Sequence, residues 1–290
     1  MARVLIAGCG YVGAATADLF HAAKWEVEGW TRSPGSAAQL AGKPYPVRAV
    51  DITDRAAVQE AAAPFEAVIH CASSGGGGAE DYRRVYFEGA RNLLSELRPG
   101  RFIYTSSTSV YAQTGGEWVD ETSAAEPRHE TGKILRETEE FVSQNGGVVV
   151  RLAGIYGPGR SALLRKFLSG EARIEGGGGR YLNQAHRDDI AAALFLLASL
   201  PNEEKMERGA IFNVVDDQPV TQLEAYQWLA TKLARALPPS MPTTASRKRG
   251  ASNKRVSNQK LRILGWRPQF PTFQTGMETS VLPTIARLGA

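Results

Sequence analysis

The feature that most limits how this chain folds lies in its first twenty residues. An apolar run through Val4, Leu5 and Ile6 leads into Gly8-x-Gly10-x-x-Gly13, and a helix-like stretch follows from residue 14. Glycines at that spacing have separate duties. Gly8 allows a tight turn, Gly10 lets the backbone approach a pyrophosphate, and Gly13 permits close packing of helix on strand. The helix N-terminus then offers free N–H groups and the positive end of a dipole to phosphate oxygens, and Tyr11 and Val12 between the glycines are expected to contact the cofactor. A strand turning this sharply into a helix predicts a dinucleotide-binding βα unit.

The rest of the chain continues the alternation. Apolar runs at 25–30, 46–50, 67–71, 101–107 and 148–154 are separated by helical patterns at 54–62, 80–97 and 130–144. This predicts an α/β fold, a Rossmann-type doubly wound parallel sheet, because strands covered on both faces read as nearly continuous apolar runs. The rhythm breaks after Gly157-Pro158-Gly159, leaving helices at 187–199 and 221–236 and a strand at 211–215. The expected division is a nucleotide-binding domain over 1–156 and, over 157–290, mainly a smaller C-terminal substrate lobe, some of whose strands return to the main sheet. Gly75 to Gly78 follows the end of a strand and reads either as a linker or as a ligand-covering loop.

Composition narrows the function. The chain of 290 residues is 43% hydrophobic and 22% charged, with a net charge of +4 spread along it, which suits a globular protein taking a small anionic substrate better than nucleic acid. The one dense basic run, Arg247, Lys248, Arg249, Lys254 and Arg255, reads as a solvated loop, with a phosphate-contacting patch as the alternative. Cys9 and Cys71 are too few for a disulfide framework, and no Cys/His cluster has metal-ligand spacing, so no metal is expected. The longest apolar run, Ile190 to Leu200, is eleven residues, too short to span a bilayer. The strand that begins after Met1-Ala2 leaves no room for a secretory signal, so a cytoplasmic protein is expected; a homodimer is compatible with it.

The second strand ends in Trp30-Thr31-Arg32-Ser33, where NAD-preferring folds place an acid for the ribose hydroxyls. Arg32 is suited to stack on adenine and pair with a 2′-phosphate, with Thr31 and Ser33 as further donors. The cofactor expected is therefore NADP in preference to NAD. Glu28 is expected to point elsewhere.

Several separate segments then converge. Asp51-Ile52-Thr53-Asp54, His70-Cys71-Ala72-Ser73, Thr105 to Tyr111 (TSSTSVY), Arg151 to Pro158 (RLAGIYGP), His186-Arg187-Asp188-Asp189-Ile190, and Ser257-Asn258-x-Lys260-Leu261 with Leu264-Gly265-Trp266-x-Pro268 together resemble the extended short-chain dehydrogenase/reductases, the NAD-dependent epimerase/dehydratase family, over nearly the whole chain. The resemblance implies cofactor contacts at Asp51, Ile52, Cys71, Ala72 and Ser73 and an active-site serine at Ser107. It implies an enzyme acting by hydride transfer on a carbonyl or secondary alcohol, such as that of a sugar nucleotide. Substrate contacts are expected among Thr108, Tyr111, Tyr156, Arg160, Arg180 and His186.

The resemblance fails at its chemical centre. The family's Tyr-x-x-x-Lys occurs nowhere in this sequence. One register puts His129 and Lys133 at the two positions, four residues apart on what would be one helix face; a register shifted by two puts Thr131 and Leu135 there. The first retains the lysine, which would hold the cofactor and tune charge, and gives histidine the proton exchange, for which its ordinary pKa is suited. Tyr86 stands where the family has an asparagine. The alternative is a cofactor-binding protein without turnover, a sensor or regulator.

Overall fold

The computed structural model describes residues 2–201, 206–242 and 252–288. Arg247, Lys248 and Arg249 lie outside them. The chain divides into two compact units interleaved in sequence: residues 1–110, 126–151 and 190–212 form one, and 111–125, 152–189 and 213–290 the other.

The first unit is built on a seven-stranded sheet. Its strands lie in the order Ile211–Val214, Val148–Leu152, Arg101–Ser107, Ala67–His70, Arg3–Ala7, Glu26–Thr31 and Val47–Ala49. From Arg101–Ser107 outward to Val47–Ala49, each neighbouring pair is parallel. The order reverses between the first strand and Ala67–His70, which is the switch point where doubly wound sheets bind ligands beyond their strands' carboxyl ends. Val4, Leu5, Ile6 and Ala7 are wholly buried, as a strand with helices on both faces requires. Helices Tyr11–Ala22, Arg55–Glu60, Glu130–Gln144 and Arg187–Ser199 fall where the periodicity predicts them. The expected helix over 80–97 forms from Ala79 to Leu97, but Arg83–Glu88 is wound as a π-helix, a local irregularity that apolar spacing does not encode.

One buried ion-pair network joins the sheet to the Glu130–Gln144 helix. Glu139 has no exposed surface and Arg151 has 1%. The Glu139 carboxylate accepts from Arg151 Nε and Nη2 at 3.0 and 2.7 Å, from Ser106 Oγ at 2.6 Å and from Arg136 Nη1 at 2.7 Å. Every donor is directed at one carboxylate, so its desolvation is offset by charge-assisted bonds from two strands and its own helix.

The second unit has its own core, in which Tyr156, Phe167, Ile174, Tyr226, Leu229, Phe273 and Met277 pack together. Short ladders tie its segments, among them Gly154–Tyr156 with Gln184–His186 and Trp118–Val119 with Arg255–Val256, both parallel. The Gln222–Lys232 helix begins with a capping box, Thr221 and Glu224 each satisfying the other's backbone N–H.

Removing one partner of a buried pair strands a charge, typically at a cost of about 3–5 kcal/mol. Arg151→Met should lower the free energy of urea unfolding by about 3 kcal/mol, and adding Glu139→Leu should recover much of it. Strictly additive losses in the double variant would contradict a coupled pair.

Candidate functional site

The glycine turn forms the floor of the site, and each glycine occupies a different environment. Gly8 has φ of +97°, and a Cβ there would lie 2.2 Å from the Ala72 backbone nitrogen. At Gly13 a Cβ would lie 2.3 Å from the Gly8 carbonyl oxygen. At Gly10 it would meet nothing within 4 Å. Two glycines are therefore required by packing, while the third opens onto free space at the start of the Tyr11–Ala22 helix. Gly10 is the N-cap of that helix and no side chain caps it, the setting in which a helix start can receive an anion. This geometry fits a dinucleotide pyrophosphate.

The end of the second strand is where the adenosine of such a cofactor is expected. Glu28 is buried, accepting from Trp30 Nε1 at 2.7 Å, Arg3 Nη2 at 2.9 Å and Arg48 Nη1 at 3.2 Å, so it is committed to the fold. Thr31 is also buried, its hydroxyl donating to the Ser33 carbonyl at 3.3 Å. Ser33 Oγ caps the short Pro34–Ala38 helix by accepting the Ser36 N–H. Arg32 stands between them, exposed, with no hydrogen bond or ion pair among the described residues. Asp51 is half-buried and accepts from the Thr53 N–H and hydroxyl in a local turn, while the Ile52 carbonyl accepts from Asn92 at 2.9 Å.

At the end of the Ala67–His70 strand, His70 is fully buried, its Nε2 3.1 Å from the Val85 carbonyl. Burial lowers its pKa to about 4, so it is neutral. Cys71 and Ala72 are half-buried and Ser73 is exposed. Cys9 and Cys71 are unpaired thiols, and burial raises them to about 11 and about 12, which keeps them protonated and unreactive.

Ser107 ends the Arg101–Ser107 strand half-buried, its Oγ accepting the Ser109 N–H at 3.2 Å, and Thr108 follows it buried in a single 3₁₀ turn. His129 and Lys133 do not form the helical pair that their spacing suggests. His129 is the N-cap of the Glu130–Gln144 helix, exposed, with extended backbone (φ −92°, ψ 145°) and no capping bond from its side chain. Lys133 is one turn in on the solvent side, 60% exposed and 3.5 Å from Glu130. The buried side of this helix carries Leu135, Thr138, Glu139 and Val142, with Thr131 half-buried. Leu135 is thus on the inward side of the helix, with Thr131 half-buried, and Lys133 on its outer side. Tyr86 packs its ring against Tyr82 and Tyr104, with centroids 4.9 and 6.4 Å away.

The remaining expected residues, all in the second unit, are mostly structural in setting. Tyr111 is fully buried, donating to the Asp120 carbonyl at 2.8 Å and lying 3.0 Å from Asn213 Oδ1. Tyr156 is buried in the core cluster with its hydroxyl 3.4 Å from the Thr272 carbonyl, and burial raises its pKa. His186 is buried, its ring 3.8 Å from that of Phe270 by centroids; Nδ1 accepts the Asp188 N–H at 3.2 Å and Nε2 meets Ser280 Oγ at 2.9 Å. Burial holds its pKa near 4. Arg160 is exposed in the Gly157–Arg160 turn and Arg180 is half-buried. Reading the basic run as solvated missed Lys254, which is 6% exposed; a lysine inside a charge run carries no sequence signal of burial.

Among the described residues no three His, Cys, Asp or Glu side chains could hold a metal ion, and no helix is long and apolar enough to cross a membrane. The model of the NAD dependent epimerase/dehydratase family matches residues 4–214. Over 284 residues the chain is 29% identical to Protein YeeZ of Escherichia coli strain K12, covering 93% of this chain and 97% of that protein. A solved structure from Methylobacillus flagellatus, assigned provisionally as an NAD-dependent epimerase/dehydratase, is 28% identical with a TM-score of 0.78, over 100% of this chain and 99% of that one. UDP-glucose 4-epimerase of Thermus thermophilus, solved in complex with NAD, shares the fold at 22% identity and a TM-score of 0.80, over 98% and 99% of the two chains.

Two measurements follow from this geometry. Gly10→Ala should leave the melting temperature nearly unchanged yet weaken NAD(P)H binding about tenfold or more, since its methyl enters only the space a pyrophosphate would use; unchanged binding by fluorescence titration would contradict that placement. His70, neutral when folded, gains stability for the native state above its ordinary pKa of 6.5 and loses it as pH falls toward about 4. His70→Gln should therefore flatten the fall in unfolding free energy between pH 6.5 and 4 by about 2–3 kcal/mol; an unaltered slope would show that His70 is not the group titrating.

Proposed function

The chain belongs to the NAD dependent epimerase/dehydratase family, and from that premise we propose that it is a cytoplasmic NADP-dependent oxidoreductase of small anionic molecules. The observation that carries the cofactor choice is Arg32, exposed and unpaired among the described residues at the end of the second strand, while the neighbouring acid, Glu28, is consumed by Arg3, Arg48 and Trp30. A guanidinium in that position matches a 2′-phosphate dianion, and no carboxylate competes there for the ribose hydroxyls.

A dinucleotide held through its pyrophosphate at the Gly8–Gly13 turn would supply, through its nicotinamide, hydride exchange with a carbonyl or secondary alcohol carbon. Ser107 is half-buried at a strand end, where its hydroxyl can donate to a substrate oxygen and polarise it. His129, at a helix start and open to solvent, exchanges the proton, and Lys133 contributes positive charge one turn away. A substrate bearing a phosphoryl group, such as a sugar nucleotide, is consistent with the net charge of +4.

A second reading, binding without turnover, is favoured by one observation: the buried side of the Glu130–Gln144 helix carries Leu135, and Lys133 faces solvent beside Glu130. Nicotinamide absorbance followed with a panel of carbonyls, and with NADP plus sugar nucleotides, separates the two, with product analysis to detect internal recycling. Turnover that falls about a hundredfold or more in both Ser107→Ala and His129→Ala supports the enzyme; tight NADPH binding with no hydride exchange supports the sensor. Arg32→Ala should weaken NADPH binding at least about tenfold, the scale of a charge-assisted contact, while leaving NADH nearly unchanged. Equal losses for both would refute the NADP assignment.

A further inference from the structure

Within the second unit one buried carboxylate has no donor. Asp216 is 4% exposed, and neither of its carboxylate oxygens has a hydrogen-bond partner among the described residues. The backbone at this position is held, its N–H donating to the Gln184 carbonyl at 2.8 Å. The side chain is not: the Gln218 N–H acts on it electrostatically but lies outside hydrogen-bonding geometry. Asp217, the next residue, shows the contrast. It accepts from Arg262 Nη1 at 2.6 and 2.8 Å and from Asn258 Nδ2 at 2.9 Å, and Asn258 also donates to the Val215 carbonyl at 3.0 Å. Those donors are engaged by Asp217 and the backbone. Burial raises the Asp216 carboxyl well above the ordinary carboxylate range, and the charges of Asp217 and Asp189 raise it further. An acid left in this state is costly, and such breaches of polar satisfaction concentrate at functional sites.

Asp216 also borders open space. It lines a cavity of about 290 Å³ together with Asp217, Asn258, Arg262 and Trp118, all of them in the second unit. Gln259, which is exposed, and Trp118, which is 53% exposed, stand where the cavity meets solvent. The charged lining is two carboxylates against one guanidinium, and that guanidinium is bound to Asp217. What the lining lacks is a positively charged donor. Among the described residues no three His, Cys, Asp or Glu side chains could hold a metal ion, so a nitrogen cation is the better match. We propose that this cavity binds a small organic cation, a primary ammonium or guanidinium group whose N–H donors reach the Asp216 carboxylate while its carbon chain lies against Trp118. The contact is charge-assisted, and the Trp118 ring already has one cation beside it, the Arg255 guanidinium 5.1 Å from its centroid. The site does not rest on the oxidoreductase function proposed above. The competing role for Asp216 is that of an inert, protonated core residue.

NMR titration of the full chain at constant ionic strength tests the site. The probes are n-butylammonium and methylguanidinium, with tetramethylammonium as a cation lacking N–H donors and methyl glucoside as an uncharged hydroxyl donor. Wild type should bind at least one of the first two at roughly millimolar concentration, the range open to so small a ligand. The two controls should bind at least about tenfold more weakly, the scale of a charge-assisted contact. The tighter of the first two assigns the site to an ammonium or to a guanidinium. Asp216→Leu should abolish binding without lowering the melting temperature, because no hydrogen bond of the free protein is lost. Gln259→Lys, an exposed change that brings a tethered ammonium to the cavity, should weaken binding about tenfold or more. Wild type that binds neither nitrogen cation, a control bound as tightly as they are, or undiminished binding in folded Asp216→Leu overturns the site. If the leucine variant does not fold, undiminished binding in Gln259→Lys overturns it instead.

Discussion

The first strand, the Ala67–His70 strand and the Tyr11–Ala22 helix meet at a spacing that leaves no room for a methyl group. A side chain at Gly8 would overlap the Ala72 backbone, and one at Gly13 would overlap the Gly8 carbonyl. Much else in the first unit depends on that contact. It lets the Cys71 N–H reach the Ala7 carbonyl at 2.7 Å and extends the parallel register of Ala7 against His70. It also brings uncapped helical N–H groups to the carboxyl end of the sheet, at the point where strand order reverses. The same crowding that excludes side chains at Gly8 and Gly13 leaves Gly10 open, so a packing constraint and a binding surface share one turn.

The fold was largely legible because its strands are buried on both faces and its helices are periodic. What escaped the sequence did so for identifiable physical reasons. Glu139 and Arg151 look like surface residues in composition, and only their mutual contact makes burial tolerable. Four-residue spacing at 129/133 or 131/135 does not tell which side of that helix packs inward, since the burial of Leu135, Thr138 and Val142 is a product of tertiary contacts. Thr31 and Ser33 were readable as hydroxyl donors, but local backbone bonding to the Ser33 carbonyl and the Ser36 N–H engages them, the usual competition that short polar side chains offer. Lys254 gave no sign of burial within a basic run.

The glycine turn is closely packed, while few of the side chains expected to exchange a proton are open to solvent. Tyr111, Tyr156, His70 and His186 are all buried, each with at least one polar atom turned to backbone or a neighbouring side chain, and the two histidines are neutral at physiological pH. Ser107 is half-buried at its strand end and His129 is exposed at its helix start, which is why the proposed chemistry is assigned to them. Membership of the family fixes the scaffold, and the reaction is decided by what those few side chains can do.

The most direct test of the account is a crystal structure of the protein grown with NADPH. The account predicts the pyrophosphate over the N–H groups of Tyr11 and Val12, passing across Gly10, with the 2′-phosphate against the Arg32 guanidinium. A dinucleotide bound elsewhere, or one in this turn whose 2′-phosphate points away from Arg32 into solvent, would contradict it.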